Sequence, residues 1–439
     1  MKLLIQRLAL FAAMLMSVLS MSASFEVNGL YYEPTSGKTV KLVQHPDGTN
    51  RYSGNIQIPD KVKCNDRYYI VDEIGDSAFS YCTTLTSVSI PNSVTLIGSG
   101  AFSYCTSLSS ITIPNSVTQI GSGAFSYCTS LSAVTIPNSV TQIGGAFYGC
   151  TALSSVTIPN SVTRIDNDAF SGCTSLSAIN VDSKNADYCS EDGVLYNKAK
   201  TELIKYPEGK PDSSFTIPNS VTKLELSDLP GLTVLNITNS VTKLSLSNLS
   251  GLTALNIPNS VTDLVLTNMP GLTALNIPNS VTDLILTTMP GLTSLNIPNS
   301  VTYLCLSNMP ETSLPNIPNS VTDLKLIDMN GITSLNVPNT VKNLELYHCT
   351  SLETVDLQEG ALQSVDFSGC SALTSVNIPD CVTNLFFGAF VGCTSLTRVK
   401  LPKGLTEIPS YTFDGCKSLT KISRLPATVT KIGGNAFYG

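Results

Sequence analysis

Apolar residues return along this chain at fixed steps. An isoleucine followed by Pro-Asn-Ser-Val-Thr stands at Ile90, Ile113 and Ile136, a step of 23 residues. The same letters stand at Ile257, Ile277 and Ile297, a step of 20, and the longer step returns between Ile378 and Leu401. Self-similarity at such periods is the signature of stacked repeats. In the longer unit Leu108, Ile111 and Ile113 follow an L-x-x-L-x-L spacing whose last two positions alternate as a half-buried strand requires. Pro114 lacks the donor that the ladder needs and ends the strand. Asn115 and Ser116 suit a turn, and Val117 and Ile120 return the chain to the core. Gly121 and Gly123 break the pattern. Ala124, Phe125 and Cys128 then match one short helical or 3-10 turn.

The shorter unit reads differently. Leu272-x-x-Leu275-x-Ile277 is followed by Val281-x-x-Leu284-x-Leu286, so the unit is nearly two copies of one half. This predicts a strand on both sides of each coil. No helical turn is predicted, because Phe and Cys have no counterpart there. No single unit buries its apolar edge alone, and stacking neighbours does so. The expected fold is a β-rich repeat solenoid with a parallel sheet. Short helical or 3-10 turns are expected in the 23-residue repeats, and β-helix-like 20-residue repeats in the middle.

Departures from the period divide the chain. Residues 1–23 read as a signal peptide: Lys2 and Arg7, an apolar run Leu8 to Leu19, then small residues. Residues 24–76 lack the repeat and are expected to be an N-terminal β cap. Residues 77–181 hold the 23-residue repeats. Residues 182–213 read as an inserted β-hairpin, and 214–357 hold the 20-residue repeats. Residues 358–439 return to the longer unit and end in mid-repeat, as though the last coil were covered by a partner or by further chain. Within the 20-residue block, Pro315 stands where neighbouring coils have Leu295 and Leu335. A ladder donor is missing there, so a soft point is expected at 311–317.

Taken together, Leu-x-x-Ile-x-Ile-Pro-x-x-Val-Thr-x-Ile-Gly-x-x-Ala-Phe-x-x-Cys resembles the BspA-like (Treponema pallidum-type) leucine-rich repeat family, over about residues 58–439. The resemblance implies a right-handed superhelix with its parallel sheet on the concave side. It also implies a microbial surface protein that adheres to host matrix or to other cells.

Composition narrows the chemistry. Charged residues are 13% of the chain and the net charge is −7, with no basic run, which disfavours nucleic acid. There are two histidines, His45 and His348, with no ligand spacing to one another. Gly37-Lys38-Thr39 resembles the end of a phosphate loop, but Tyr32 stands where its first glycine belongs. No cofactor, metal or catalytic constellation is predicted, and the chain is not read as an enzyme. Nine of the thirteen cysteines share one repeat position, from Cys82 through Cys173 and from Cys349 through Cys416. They are expected to be buried free thiols in an inner column, with side chains running parallel rather than facing one another. The Asn of Pro-Asn-Ser forms a second column, expected to satisfy backbone groups of the stacked turns.

Ligand-binding positions are sought where otherwise identical units differ. One outward position of the 20-residue block runs Lys223, Lys243, Asp263, Asp283, Tyr303, Asp323 and Asn343. Like charges stacked at about 4.8 Å repel, so the run is a candidate contact strip. The expected partner is an extracellular protein, with no membrane span in the mature chain. A glycan bound on the Ser/Thr/Asn sheet is the second ligand class, although exposed aromatics for stacking on sugars are few. A structural spacer is the third reading. The expected location is secreted or cell surface.

Overall fold

A computed structural model describes residues 24–48, 52–310, 316–422 and 425–439. The signal peptide expected at 1–23 lies outside the described residues, as does most of the soft point, 311–315. The chain divides into two compact units, Met1–Pro211 and Asp212–Gly439.

In the first unit Phe25–Val27, Leu30–Pro34 and Thr39–Val43 form an antiparallel meander whose last strand pairs in parallel with Arg67–Ile74. Gly54–Gln57 pairs in parallel with Leu85–Ser89. The N-terminal segment therefore feeds both sheets of the solenoid. One sheet continues through Ser110–Thr112, Ala133–Thr135, Ser155–Ile158 and Ala178–Val181. On the other side of the coil short strands pair with the coil before, as Gln119 with Leu96.

Each coil delivers the same side chains to the same depth. Phe79, Phe102, Phe125, Phe147 and Phe170 stack with centroids 5.0, 5.3, 5.5 and 5.8 Å apart and rings within 7° of parallel. Such close stacking demands glycine where backbones meet. A Cβ on Gly121 would lie 2.4 Å from the Ser99 amide nitrogen.

The helical turns predicted around Ala-Phe-x-x-Cys do not form, and the described residues contain no helix. Successive amides there point in alternate directions. Ala101 and Ser103 donate backward to Gly98 and Gly100, at 3.3 and 2.9 Å. Phe102 and Tyr104 donate forward to Ala124 and Ser126 of the next coil, at 2.7 and 2.8 Å. A helix would claim every amide for itself, whereas here every second one ties two coils together.

The cysteine column is inside and all thirteen cysteines are free thiols. From Cys105 onward the column thiols point at carbonyls: Cys105 donates to Phe79 O and Cys128 to Phe102 O, both at 3.1 Å. Burial pushes the Cys105 thiol up to about 12 and Cys416 up to about 11. In some coils the role expected of the Asn column falls instead to the neighbouring hydroxyl, while Ser93, Ser116, Ser280 and Ser320 at the same place make no hydrogen bond. Asn138 is exposed, and beside it Ser139 Oγ donates to Val117 O at 2.5 Å. Ser300 does the same to Val281 O at 2.7 Å. The shorter side chain reaches the carbonyl of the coil before without leaving the turn.

Residues 182–211 close the first unit. Tyr188–Glu191, Val194–Asn197 and Leu203–Lys205 form an antiparallel sheet. Backbone groups that a further coil would have paired are met by side chains of this insertion. Gly149 donates to Ser171 O of the next coil at 2.8 Å. Gly172, one coil on, donates instead to Glu208 Oε1 at 3.0 Å. Ile165 N donates to the Tyr188 hydroxyl at 3.1 Å, and buried Asn185 donates to Pro159 O and Val162 O. Glu208 is held by Lys205 at 2.8 Å, with both side chains buried.

The second unit is built on nine parallel strands, from Lys223–Ser227 through Asn343–Tyr347 to Ser364–Asp366 and Asn384–Leu385. A strand was expected on both sides of each 20-residue coil. Among the described residues the other side is a strand only near the ends of the block, at Ser214–Thr216, Val234–Asn236, Ser334–Val337 and Thr354–Leu357. Between them Leu275 and Ile277 are buried without a ladder. Alternation in sequence encodes which side chains face the core, not whether adjacent coils come close enough to hydrogen bond.

Candidate functional site

The nine-stranded sheet places the variable column in register. Lys223 pairs with Lys243, then in turn come Asp263, Asp283, Tyr303, Asp323 and Asn343, one per coil. The leucines between these positions point inward and are buried. The frame repeats while the outward chemistry changes from coil to coil.

Much of the charge is met inside the strip. Lys243 Nζ lies 3.3 Å from Asp263 Oδ1, whose other oxygen accepts from Thr262 Oγ1 at 2.6 Å. Asp323 accepts from Asn343 Nδ2 and from Thr322 Oγ1, both at 2.6 Å. Lys223 lies 3.2 Å from Glu225. Asp283 is exposed and receives Thr282 Oγ1 at 2.7 Å. Asp263 and Asp283 are register partners on adjacent strands, with Lys243 the partner of Asp263 on the other side.

A second column, buried at both ends, was missed by sequence reasoning. It runs through Cys305, Lys325, Glu345 and Asp366. Lys325 Nζ is 2.9 Å from Glu345 and 4.9 Å from the Tyr347 ring centroid. The hydrogen bond to Glu345 raises the Lys325 ammonium above the usual lysine range. Asp366 is buried, and that burial raises its carboxyl although Ser368 N and Oγ donate to it at 2.9 and 2.6 Å.

A third feature spans both repeat classes. The residue before each inner Cys, Leu or Met has positive φ. It is Asp228, Asn248, Asn268, Thr288, Asn308, Asp328 and His348 in the second unit, followed by Gly369, Gly392 and Gly415. In the first unit it is Tyr81, Tyr104 and Tyr127, with φ of 60, 62 and 59°, then Gly149 and Gly172. Gly, Asn, Asp and His tolerate this conformation, and tyrosine rarely adopts it. The three tyrosines form a stack, exposed at Tyr81 and half-buried at Tyr104 and Tyr127, with centroids 4.6 and 4.5 Å apart. Tyr148 meets its end edge-on at 5.3 Å. A comparison of coils at the position before each column cysteine would have found the stack in the sequence.

The BspA type leucine rich repeat region is recognisable over residues 72–193 and 327–439, more than half of the chain. The chain belongs to the BspA type leucine-rich repeat family. Among solved structures, the chain is similar to a leucine rich cell surface protein from Faecalibacterium prausnitzii A2-165. That protein is 23% identical to this chain, covering 91% of this chain and 94% of its own, with a TM-score of 0.35. The pneumococcal vaccine antigen PcpA is similar at 19% identity, over 94% of each chain, with a TM-score of 0.38. The T. pallidum leucine rich repeat protein is similar at 23% identity, over 51% of this chain and 86% of its own, with a TM-score of 0.33. No curated protein matches the chain. Among the described residues no helix is long and apolar enough to cross a membrane.

Proposed function

We propose that this BspA type repeat protein is exported and acts at the microbial cell surface as a non-catalytic binder of other proteins, an adhesin. The observation that carries the proposal is the in-register column Lys223, Lys243, Asp263, Asp283, Tyr303, Asp323. Its members vary on a frame that otherwise repeats. A rigid sheet that fixes the backbone of every coil leaves side-chain identity at such positions free to serve recognition. The mixed charge steers a partner of complementary charge and is screened by salt. The partner is an extracellular protein, such as host matrix or the surface protein of another cell.

The test is binding of the purified chain to a panel of extracellular matrix proteins and a glycan array, at low and high salt. Saturable protein binding that weakens with salt, and weakens several-fold in the double variant Asp263→Ser/Asp283→Ser, is the expected result. Binding that the double variant and high salt both leave untouched removes the strip from the site.

A further inference from the structure

We propose that the stack of Tyr81, Tyr104 and Tyr127 in the first unit is a second recognition surface, fitted to an uncharged polypeptide surface. The proposal rests on the protein-binding reading above and adds a site separate from the charged column.

Three observations carry it. The first is backbone conformation. The residue before each inner Cys, Leu or Met has positive φ, and this chain fills that place elsewhere mainly with Gly, Asn and Asp. Three consecutive coils keep tyrosine there instead. A residue held in a sparsely populated conformation is a pointer to function where ordinary alternatives exist, and here the alternatives stand in the same chain, as Gly149 and Asn248.

The second observation is exposure with order. Tyr81 is 47% exposed, Tyr104 and Tyr127 are half-buried, and Tyr148, which meets the far end, is 37% exposed. Rings already stacked within 5° and 16° of parallel have little freedom left to lose on binding. Tyrosine with serine and glycine around it is the composition that protein-binding loops use, rigid amphipathic area beside adaptable hydrogen bonding.

The third observation is charge. Residues 77–84, 99–107 and 122–130, which carry the stack, contain no Asp, Glu, Lys, Arg or His. Desolvation, with Tyr127 and Tyr81 close by, holds the Tyr104 phenol above its ordinary range. The stacked geometry also selects the ligand class. Sugars pack on ring faces, and these faces cover one another. What the strip presents is a row of ring edges and phenol hydroxyls. Apolar side chains fit the edges, and backbone carbonyls and amides fit the hydroxyls.

The experiment uses the full chain, the triple variant Tyr81→Asn/Tyr104→Asn/Tyr127→Asn, and the double variant Asp263→Ser/Asp283→Ser. Each is titrated against the same panel of matrix proteins and the same glycan array, at low and high salt. Circular dichroism and melting temperature establish that each variant is folded. A second triple variant, with glycine in place of asparagine, guards against a local effect of the new amide. The expected result is that both triple variants melt within a few degrees of wild type and lose at least about tenfold in affinity for a matrix protein. The part of binding they lose is insensitive to salt. Matrix binding unchanged in both triple variants, but lost in the aspartate variant, overturns this site and leaves the proposed function standing. Loss confined to the glycan array overturns the polypeptide partner. Absence of any saturable protein binding by wild type overturns the protein-binding reading, and this inference with it.

Discussion

Replacing Glu208 by alanine tests whether residues 182–211 are a cap or an ornament. The Glu208 side chain is 4% exposed and its partner Lys205 11%. The same carboxylate oxygen accepts the Gly172 amide. The substitution leaves a buried ammonium without its counter-charge and a backbone N–H without its acceptor. Breaking a buried pair from one side destabilises by about 3–5 kcal/mol, with the orphaned amide as part of that sum. At a slope of about 2 kcal/mol/M, the urea midpoint of the first unit should fall by about 1.5–2.5 M. Glu208→Gln keeps an acceptor for Gly172 and should fall less. Because a solenoid is held by nearest-neighbour interfaces, the damage should fade along the stack. Amide exchange should speed up most at Gly172 and least near Phe79 and Phe102. A midpoint shift below about 0.5 M, with exchange at Gly172 unchanged, would refute the capping argument.

Three further outcomes follow from the packing. Gly121→Ala should cost about 3 kcal/mol or more, because the new methyl meets the Ser99 backbone. Gly404→Ala is the control: nothing lies within 4 Å of its Cβ position, and equal melting temperatures for the two variants would contradict the account. The column thiols should be inert to a thiol reagent in the native chain and react only on unfolding. Half-buried Cys64, Cys189 and Cys381 should be modified first, and native modification of Cys128 at their rate would argue against the burial. The raised carboxyl of Asp366 means that the folded chain binds this proton more tightly than the unfolded chain. Its contribution to stability therefore falls as pH rises above the ordinary value of 3.8. Asp366→Asn, with an acceptor kept for Ser368, should gain on wild type in urea midpoint from acid to neutral pH, and a difference that is flat with pH would sink the argument.

What the sequence disclosed and what it hid divide along physical lines. Leu108, Ile111, Ile113, Val117 and Ile120 announce their burial by spacing alone, and all are buried. The family resemblance rests on the same letters. The column from Lys223 to Asp323 was also legible, because a fixed period turns sequence position into spatial register. The local conformation of Ala-Phe-x-x-Cys was not legible, since the apolar spacing of one helical turn also fits a stack whose amides alternate between coils. Glu208 and Asn185 gave no sign of their roles either. A cap works by side chains reaching backbone groups some 23 to 36 residues away, and no local pattern encodes such a reach.

The position before each inner Cys, Leu or Met ties these threads together. Its backbone does one job in every coil but that of Gly172, where Glu208 takes the place of the neighbour: the amide donates to the next coil, as Tyr104 N does to Ser126 O and Asn308 N to Ile327 O. That job needs a left-handed residue and nothing from the side chain. The side chain is then free to vary, and it does so in blocks. Asn248 and Asn268 extend a ladder of amides from Asp228, at 2.8 and 2.7 Å, which stiffens the stack. Tyr81, Tyr104 and Tyr127 make the backbone conformation harder to hold and leave aromatic surface in water. The amide ladder serves folding. The tyrosines work against it in backbone conformation and in exposure, so recognition is the role to test for them.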